Sequence, residues 1–529
     1  MKVFIEFNHV FLEWPLGIAT ELKARIPAAC VGGIAWLRDG VYERVASYSN
    51  PAISPLDSLD ELERQWLATP WDGKRLGEYE AMLGPGVTKK IIISDRNISD
   101  GFITGALPFR HCHLTDATSD DEMLRRYIFG LLNYSFERLR SLNPDLVVVG
   151  YVDNAISYTL GLVCHYLHIP FVQILPARTG SRYVLDDSVD GSLAPVRRTF
   201  ERALASPSLL AHQLPAAQNY IRRFRDNLQP YEAFFDAYQD TSLKKASSAA
   251  DAMRRLAVYM GKAVRFFTKG RRTSLRDMRK WDEIKVRLSV PVRARWSLRN
   301  GTFQVPGYSP SGPFAYYPLH VDPEASTIVS APMYTDQLAV VEALVKGLPL
   351  GMSLLVKEHV PMLGQRPPAF YARLKRMPGV KLISPFENSV SLIKRAAFTC
   401  VINGTAGWEA ILLGKPAIVI GQPHYVALKE GLVHCPDLSR LPEAVQQTLN
   451  IRPVDEERLL LYIAAILDQS FDFPLKLREG VVTRETVRRH PEIVSTICDR
   501  LMALDSSHSN PAVKLRLQDK PDGITDELG

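Results

Sequence analysis

Short apolar runs alternate with amphipathic stretches along most of the chain. The runs lack strict alternation of apolar and polar residues, which is typical of parallel strands buried on both faces, and the stretches between them have helical spacing. This pattern predicts an α/β fold built on parallel sheets. In the first half, the predicted strands are Lys2–Phe7, 90–94, 145–150 and 169–175, and the predicted helices are 17–24 and 155–167.

The same pattern resumes after a Pro/Gly/Ser cluster at 307–313, which is the best candidate for a domain boundary. Beyond it, the predicted strands are 315–319, Ser353–Lys357, Val380–Ile383, 398–402 and 417–420, and the predicted helices are 335–348, Pro368–Arg376, 406–413, 454–470 and 484–504. Two such sheets leave a cleft between the carboxyl ends of their strands, where ligands bind in this architecture.

The segments predicted from this pattern differ in composition as well as in structure. Residues 1–195 form an N-terminal α/β domain, 196–306 a basic, mostly helical insertion or bridge, and 307–470 a second α/β domain. Residues 471–505 are expected to form closing helices, and the polar tail 506–529 is expected to be disordered.

The segment AAFTCVINGTAGWEAILLGKPAIVIG, at 396–421, places a turn between a predicted strand and a predicted helix. The turn Asn403-Gly404-Thr405 presents backbone N–H groups and a hydroxyl that suit an anion, most often a phosphate. Glu409, one helical turn further on, is placed to reach a ribose hydroxyl beside such a phosphate. The alternative is an ordinary βαβ crossover in which Thr405 is only the N-cap.

The composition describes a soluble globular protein, since 46% of the 529 residues are hydrophobic and 23% are charged. No apolar run reaches the roughly 20 residues that span a bilayer, and the N-terminus has no signal-peptide pattern. Six cysteines without paired spacing predict reduced thiols in a cytoplasmic protein. A metal site at His111-Cys112-His113 is not expected, because adjacent strand residues point to opposite faces and no second ligand cluster is visible.

Positive charge is concentrated in residues 253–299, which contain fifteen Lys or Arg residues and only three acidic ones. The whole chain carries +7, so the remainder is slightly acidic. Apolar residues recur at helical spacing within the segment, which favours either a basic amphipathic helix on an anionic membrane or a helical insertion with solvated charges. Nucleic acid is not an expected partner, because no recognised nucleic-acid motif accompanies the charge.

Several polar residues of the second domain follow predicted strands and should lie at the edge of the cleft. Lys357 ends one strand, and His359 is placed to hydrogen-bond or neutralise a phosphate. His320 follows the first strand of this domain, and Glu324 and Ser326 come next, where they can contact a base or a sugar. The alternatives are a structural histidine that caps a turn, and a solvated loop.

Three motifs in order, YYPLHVDPEAST, VKEHVPMLGQRPPAFYARL and INGTAGWEAILLGKPAIVIG, resemble the capsular polysaccharide biosynthesis and export family, which includes β-Kdo transferases. The resemblance covers 315–425 well and the first domain only loosely. It implies a GT-B fold that binds an activated sugar mainly through the second domain. In the transferase members the donor is a CMP-activated acidic sugar, and transfer inverts the anomeric centre.

The resemblance also implies roles for individual residues. His359 matches the histidine of a His-Pro pair near the donor phosphate, although Val360 stands where the family has the proline. Residues 404–405 match the phosphate-binding turn, and Glu409 matches the nucleotide-contacting helix. Together with the strand-end residues, the predicted donor-binding set is Lys357, His359, Asn403, Gly404, Thr405, Glu409, Glu324 and Ser326.

The first domain is expected to supply the general base, because an inverting transfer needs a carboxylate, or less often a histidine, to take the acceptor's proton. Asp153, which follows the strand 145–150, is the first choice and Asp95 is the second. Asp186 and Asp187 are the third. Each of these carboxylates is also a plausible helix cap or turn residue.

Arg178 and Arg182 flank a predicted turn in the same domain. They are predicted to bind an acidic acceptor, and the alternative is that they pair with Asp186 and Asp187.

Together, these predictions describe a cytoplasmic, membrane-peripheral glycosyltransferase that inverts the anomeric centre and acts in bacterial capsule or surface polysaccharide biosynthesis. Its donor would be a nucleotide sugar, with a CMP-sugar favoured, and its acceptor a glycan or glycolipid at the inner membrane. The chemistry needs no metal and no further cofactor. The alternatives are a non-catalytic capsule export or assembly protein, a nucleotide-sugar epimerase, and a polyol-phosphate transferase on the same fold.

Overall fold

The computed structural model describes residues 1–8, 13–36, 41–47, 52–95, 121–180, 182–227, 280–472 and 491–508. The strands are β1 (Lys2–Phe7), β2 (Cys30–Ala35), β3 (Leu56–Ser58), β4 (Leu146–Val149), β5 (Phe171–Pro176), β6 (Arg182–Asp186), β7 (Phe314–Pro318), β8 (Ser353–Lys357), β9 (Val380–Ile383), β10 (Phe398–Val401), β11 (Ala417–Val419), β12 (Leu432–His434) and β13 (Ser470–Asp472). The helices of the N-terminal half are α1 (Glu13–Arg25), α2 (Val41–Ala46), α3 (Leu59–Ala68), α4 (Gly73–Leu83), α5 (Val87–Ile93), α6 (Asp121–Leu142), α7 (Ala155–Tyr166), α8 (Ala194–Ala205) and α9 (Leu214–Asn227). Those that follow are α10 (Lys280–Arg299), α11 (Ala325–Ile328), α12 (Gln337–Gly347), α13 (Pro368–Arg376), α14 (Ser389–Arg395), α15 (Thr405–Leu412), α16 (Leu441–Asn450), α17 (Glu456–Gln469) and α18 (Pro491–His508).

The first sheet has the strand order β13-β6-β5-β4-β1-β2-β3. Its five strands from β5 to β3 are parallel, whereas β6 and β13 pair in antiparallel fashion at one edge. Strand order reverses between β1 and β4. In open α/β sheets such a reversal opens a crevice at the carboxyl ends of the strands.

The second sheet is wholly parallel, with the order β12-β11-β10-β7-β8-β9. Its order reverses between β7 and β10, so residues that follow these two strands meet at one crevice. The core strands are buried on both faces, which explains their continuous apolar sequences. The predicted fold class, two Rossmann-like α/β domains of GT-B type, is confirmed.

One predicted strand is wrong. Residues 90–93 belong to the helix α5, and Ser94 is its C-cap residue. The helix begins after Gly86, a residue with φ of 72° whose N–H donates to Glu80 Oε1 at 2.8 Å. Val87 and Ile91, four residues apart, are both buried in the core shared with α6 and α7. A short apolar run fits a strand or a buried helix equally well by periodicity, and here tertiary packing decides.

The chain returns to the first sheet after completing the second. β13 pairs with β6, and α18 packs against α1. The helices α8 and α9 pack against α17, with the rings of Phe200 and Tyr462 4.9 Å apart. These contacts do not test the predicted division of the chain into 1–195, 196–306, 307–470, 471–505 and 506–529, which remains a prediction.

Most of the basic segment lies outside the described residues. Of 253–299, the described part is α10, which contains Pro291. The predicted amphipathic stretch before it, and the tail 509–529, are outside the described ranges. In the ranges that are described, no helix combines the length and apolarity needed to cross a bilayer.

A buried ion pair joins the carboxyl ends of β7 and β8. Arg366, only 1% exposed, donates from Nε to Glu358 Oε2 at 2.9 Å and from its Nη2 to the carbonyl of His320 at 2.6 Å. Glu358 also accepts from the hydroxyl of Tyr371 at 2.9 Å and from the backbone N–H of His359 at 2.7 Å. The pair therefore fixes both loops that carry the strand-end histidines.

Arg366→Met should lower the free energy of unfolding by about 3 kcal/mol or more, because it leaves the Glu358 carboxylate buried without its cation. Arg366→Met combined with Glu358→Gln should cost less than the single change, because the double variant no longer buries the Glu358 charge; the buried carboxylate of Asp322, 4.0 Å from Arg366 Nη1, loses its cation in both variants. Urea unfolding followed by tryptophan fluorescence measures both. Lys346→Met, which breaks an exposed pair with Glu342, is the control and should change the value by less than about 0.5 kcal/mol. Equal losses in the single and double variants would contradict this account.

The turn after β10 is held by Tyr425, whose hydroxyl donates to the carbonyl of Gly404 at 2.7 Å. Gly407 allows this contact. A Cβ at that position would lie 2.3 Å from the Tyr425 hydroxyl and 2.8 Å from a methyl of Val401. The glycine is therefore required by close packing of α15 on the turn.

Gly407→Ala should destabilise the protein by about 1–3 kcal/mol through overpacking. Adding Tyr425→Phe removes the nearest atom, so the double variant should be more stable than the sum of the two single changes predicts. Gly77→Ala is the control, because a Cβ there meets nothing within 4 Å in the middle of α4, and alanine should be neutral or stabilising. The proposed contact would be refuted if the destabilisation of the double variant, measured by thermal unfolding, equalled the sum of those of Gly407→Ala and Tyr425→Phe.

Candidate functional site

The turn Asn403-Gly404-Thr405 leads directly into α15. Gly404 is the N-cap residue, with φ of −85° and ψ of 160°, and as a glycine it has no side chain with which to cap the helix. Thr405 is the first helical residue, so the N-cap position that the alternative gave to Thr405 belongs to Gly404. The first N–H groups of this helix and the positive end of its dipole are thus available to an anion. An ordinary βαβ crossover without an anion stays the alternative.

A cavity of about 300 Å³ lies beside this helix, and we call it the α15 cavity. Thr405 and Glu409 both line it, as the four-residue spacing on one helix face requires. The opposite wall comes from the first domain and from α9. Besides Thr405 and Glu409, the residues that line the α15 cavity include Arg178, Arg182, Arg223, Tyr220, Phe224 and Trp408.

Lys357 and His359 differ in charge at neutral pH. Burial lowers the pKa of Lys357 to about 8, against the opposing effect of Glu358, Glu409 and Glu387, so the amine is still mostly protonated at pH 7. Burial, followed by the cations of Lys357 and Arg366, lowers the pKa of His359 to about 4. His359 is therefore a neutral imidazole that can donate a hydrogen bond to a phosphate but cannot neutralise its charge.

His320 and Asn403 meet at the switch point of the second sheet. The backbone N–H of Asn403 donates to His320 Nε2 at 3.2 Å. Burial, with the nearby groups of His359, Arg366 and Arg178, lowers the pKa of His320 to about 3. Because Nε2 accepts and the ring is neutral, Nδ1 carries the proton. Sequence reasoning placed His320 at a strand end without assigning it a role, and the strand order supplies the missing signal.

Glu324 and Ser326 are linked to the same turn. The hydroxyl of Ser326 donates to Glu324 Oε2 at 3.1 Å, and the side-chain amide of Asn403 donates to the carbonyl of Ser326 at 3.3 Å. Ser326 is buried and Glu324 is half-buried. The structure therefore brings these two residues next to the turn, and the alternative of a solvated loop is wrong for Ser326.

The two predicted acceptor-binding arginines have different surroundings. Arg178 has φ of 53°, an uncommon conformation for a residue with a side chain, and its guanidinium makes no hydrogen bond or ion pair with any described residue. Arg182 donates to Ser470 Oγ at 2.6 Å and forms an ion pair with Asp472 at 3.2 Å. Arg182 therefore ties β6 to β13, and Arg178 is the arginine available to a ligand.

Asp186 and Asp187 have structural partners, which matches the alternative of turn and cap residues. Asp186 accepts from the N–H of Ala194 at 3.0 Å, and burial raises its pKa to about 7. Asp187 forms an ion pair with Arg198 at 2.6 Å, so neither carboxylate pairs with the two predicted arginines.

Asp95 does not follow a strand, because α5 replaces the predicted strand before it. Its carboxylate accepts from the N–H of Ala155 at 3.2 Å, at the N-terminus of α7. Asp153, the first choice for the general base, follows β4 as predicted and accepts from the side chain of Asn154 at 3.1 Å. Asp153 is absent from the walls of the α15 cavity and of the smaller cavity described next.

A smaller cavity of about 40 Å³, the interdomain cavity, lies between the two sheets. The first domain contributes Arg178 and Asp190 to its wall, and the second contributes Ser326, Asn403 and His424. Asp190 is a carboxylate of the first domain that sequence reasoning missed, because it lies in a loop after β6 with no strand-end pattern. Arg178 lines both cavities and thus stands at their junction.

Among the described residues, no three His, Cys, Asp or Glu side chains are grouped so as to hold a metal ion. The tripeptide at 111–113 lies outside the described ranges. The five described cysteines, Cys30, Cys164, Cys400, Cys435 and Cys498, are free thiols.

No family model matches the chain, and no curated protein matches it. Among solved structures, it is similar to the β-Kdo 2,7 transferase KpsC of Thermosulfurimonas dismutans, with 11% identity and a TM-score of 0.33 over 68% of this chain and 88% of that one. It is also similar to UDP-GlcNAc 2-epimerase of Neisseria meningitidis bound to UDP-GlcNAc, with 13% identity and a TM-score of 0.21 over 88% and 98%. The calicheamicin glycosyltransferase CalG4 matches with 12% identity and a TM-score of 0.26 over 96% and 99%. Likenesses of this degree carry no argument about activity, and the two sheets establish the architecture by themselves.

Proposed function

We propose that the chain is a metal-independent, inverting glycosyltransferase that uses a nucleotide sugar. The observation that carries the proposal is the uncapped N-terminus of α15, with Thr405 and Glu409 together on the wall of a cavity between the two domains. A helix N-terminus binds phosphate, and a carboxylate one turn later suits a ribose hydroxyl. The pair therefore supports a site for a nucleotide rather than for a simple anion.

The leaving group of such a transfer is a nucleotide phosphate, whose developing charge must be stabilised. In this proposal the N–H groups and hydroxyl of Thr405, which lines the α15 cavity, act together with the ammonium of Lys357 and the neutral imidazole of His359. Lys357 and His359 line neither cavity, but Lys357 lies near enough to Glu409 for that carboxylate to raise its pKa, and near enough to His359 to lower the pKa of the imidazole. Preorganised donors of this kind stabilise charge in the transition state without reorganisation. Asn403 and Gly404 form the turn. Ser326 lines the interdomain cavity together with Asn403, and Glu324, which lines neither cavity, accepts a hydrogen bond from the Ser326 hydroxyl.

The acceptor side is proposed to be the first domain, with Arg178 as the group that attracts an anionic glycan or glycolipid. Asp153 stays the sequence-based proposal for the general base. A CMP-activated acidic sugar is the proposed donor, and capsule or surface polysaccharide assembly is the proposed role, both on the resemblance of the three motifs. The basic segment 253–299 would hold the enzyme to the anionic inner surface of the membrane.

Thr405→Val keeps the side-chain shape but removes the hydroxyl, and His359→Gln removes the imidazole. Each should lower kcat for donor cleavage by about 10²-fold, because each removes one donor to the leaving phosphate. Turnover is measured with CMP-, UDP- and GDP-sugars in the presence of a glycan acceptor. Thr496→Val, at a half-buried site on α18 that lines neither cavity, is the control and should retain full activity. Full turnover in the Thr405/His359 double variant would overturn the proposed site.

The value of kcat/KM for the donor should fall as pH rises through about 8, because Lys357 loses its proton there and no longer attracts the phosphate. Arginine stays protonated at this pH, so Lys357→Arg should move the alkaline limb of the profile to higher pH. His359 should leave the profile flat between pH 6 and 7, since its pKa is about 4. An alkaline limb that stays in place in Lys357→Arg would exclude Lys357 as its cause.

A further inference from the structure

The hydrogen-bonding state of His424, on the wall of the interdomain cavity, follows from its neighbours. The hydroxyl of Tyr462 has a single hydrogen and donates it to the backbone carbonyl of His424 at 2.7 Å. The same hydroxyl oxygen lies 3.0 Å from His424 Nδ1, so Nδ1 must be the donor in that contact. Nε2 is then an acceptor with a free lone pair. Burial and the cation of Arg178 lower the pKa of His424 to about 3, so the ring is neutral at neutral pH.

The orientation of the Asn403 amide is fixed in the same way. Its nitrogen donates to the carbonyl of Ser326, which can only accept, so Oδ1 must be the other atom of the amide. Among the described residues, neither Oδ1 of Asn403 nor Nε2 of His424 has a hydrogen-bond partner, and both atoms are buried. Two buried acceptors without donors cost free energy that a ligand with donors recovers.

The remaining polar groups of this cavity indicate how a ligand would be oriented in it. The carboxylate of Asp190 is a third acceptor on the wall, with Oδ1 receiving the N–H of Ser192 at 3.1 Å. Arg178 is the cation, and it lies where the interdomain cavity meets the α15 cavity. A ligand that satisfies both ends therefore has hydroxyls toward His424, Asn403 and Asp190 and an anionic group toward Arg178.

The size of the cavity limits how much of a ligand enters it. A buried water needs about 10–15 Å³ of such space, so a cavity of about 40 Å³ accepts two or three hydroxyl groups and not a complete sugar ring. The rest of the ring must extend past Arg178 into the larger cavity.

We propose that the interdomain cavity binds the hydroxyl-bearing edge of a sugar acid, with hydroxyls donating to His424 Nε2 and Asn403 Oδ1 and the carboxylate pairing with Arg178. The role of this cavity as the acceptor subsite of a transferase rests on the proposed function. Binding of a sugar acid in the cavity does not depend on that function. The subsite selects a ligand with both hydroxyls and a negative charge.

Three probes separate these requirements: D-glucuronate has hydroxyls and a carboxylate, D-glucose lacks the carboxylate, and cyclohexanecarboxylate lacks the hydroxyls. In saturation-transfer NMR titrations of the full chain, glucuronate should bind about tenfold tighter than either partial probe, as expected for one further charge or hydrogen bond. Equal affinities for glucuronate and cyclohexanecarboxylate would overturn recognition of hydroxyls, and equal affinities for glucuronate and glucose would overturn the role of Arg178.

His424→Leu should lose about tenfold in affinity for glucuronate and nothing for cyclohexanecarboxylate, whereas His424→Gln, which retains an acceptor, should recover part of the loss. Arg178→Met should bind glucuronate no better than glucose. His434→Gln is the matched control, because His434 is exposed and lines neither cavity. Unchanged glucuronate affinity in His424→Leu would overturn the proposal.

The tautomer of His424 can be measured directly, without substituting any residue proposed to bind the ligand. In protein labelled with ¹⁵N-histidine, the signal assigned to His424 Nε2 should be that of an unprotonated ring nitrogen, and it should move when glucuronate is added. Tyr462→Phe should abolish this preference for one tautomer. A protonated Nε2 in the wild-type protein would overturn the inference.

Failure of this proposal is distinguishable from failure of the proposed function. His424→Leu should retain the thermal stabilisation by CMP, which at about 100 times the dissociation constant amounts to a factor of about 10² in the folding equilibrium. If CMP, UDP and GDP all leave the wild-type protein unchanged while glucuronate binds through His424, the nucleotide-sugar proposal fails and the sugar-acid subsite stands. If the nucleotides bind and glucuronate does not, the reverse conclusion follows.

Discussion

The buried ion pair between Arg366 and Glu358 is the interaction on which the arrangement of the site depends. Removing two charges from water is costly, and the pair is compensated by hydrogen bonds with the carbonyl of His320, the hydroxyl of Tyr371 and the N–H of His359. The buried carboxylate of Asp322 also lies 4.0 Å from Arg366 Nη1. An apolar contact between β7 and β8 would have no preferred direction. Only a directional network also fixes the loops beyond them, and those loops carry the two histidines.

The candidate site contains both neutral histidines and positively charged side chains. His320, His359 and His424 are all kept neutral by burial, and each can act only as a hydrogen-bond donor or acceptor of defined geometry. Positive charge comes from Lys357 in the second domain and Arg178 in the first. Of these groups, Arg178 lines both cavities and His424 lines the interdomain cavity, whereas Lys357, His320 and His359 line neither.

The sequence predicted the second sheet better than the first, for a physical reason. Parallel strands buried on both faces have continuous apolar sequences, so β8 and β9 were located to the residue, whereas the short runs of β12 and β13 carry too little pattern. The isoleucines at 91–93 fit a strand and a helix equally, and only packing against α6 and α7 decides. The turn at 403–405, proposed to bind a phosphate, was visible because Gly and Thr interrupt an apolar run. The role of His320 depends on strand order, and that of Asp190 on contacts between domains, neither of which a local pattern contains.

The return of the chain to the first sheet has a consequence for how the protein folds during synthesis. β6 receives its partner β13 only after the whole second domain has been translated, and α1 receives α18 later still. Until then the outer edge of β6 has unpaired backbone groups, and the apolar face of α1 that α18 covers is open. The N-terminal domain, although made first, is completed last, and during that interval its open strand edge and apolar helix face are open to association.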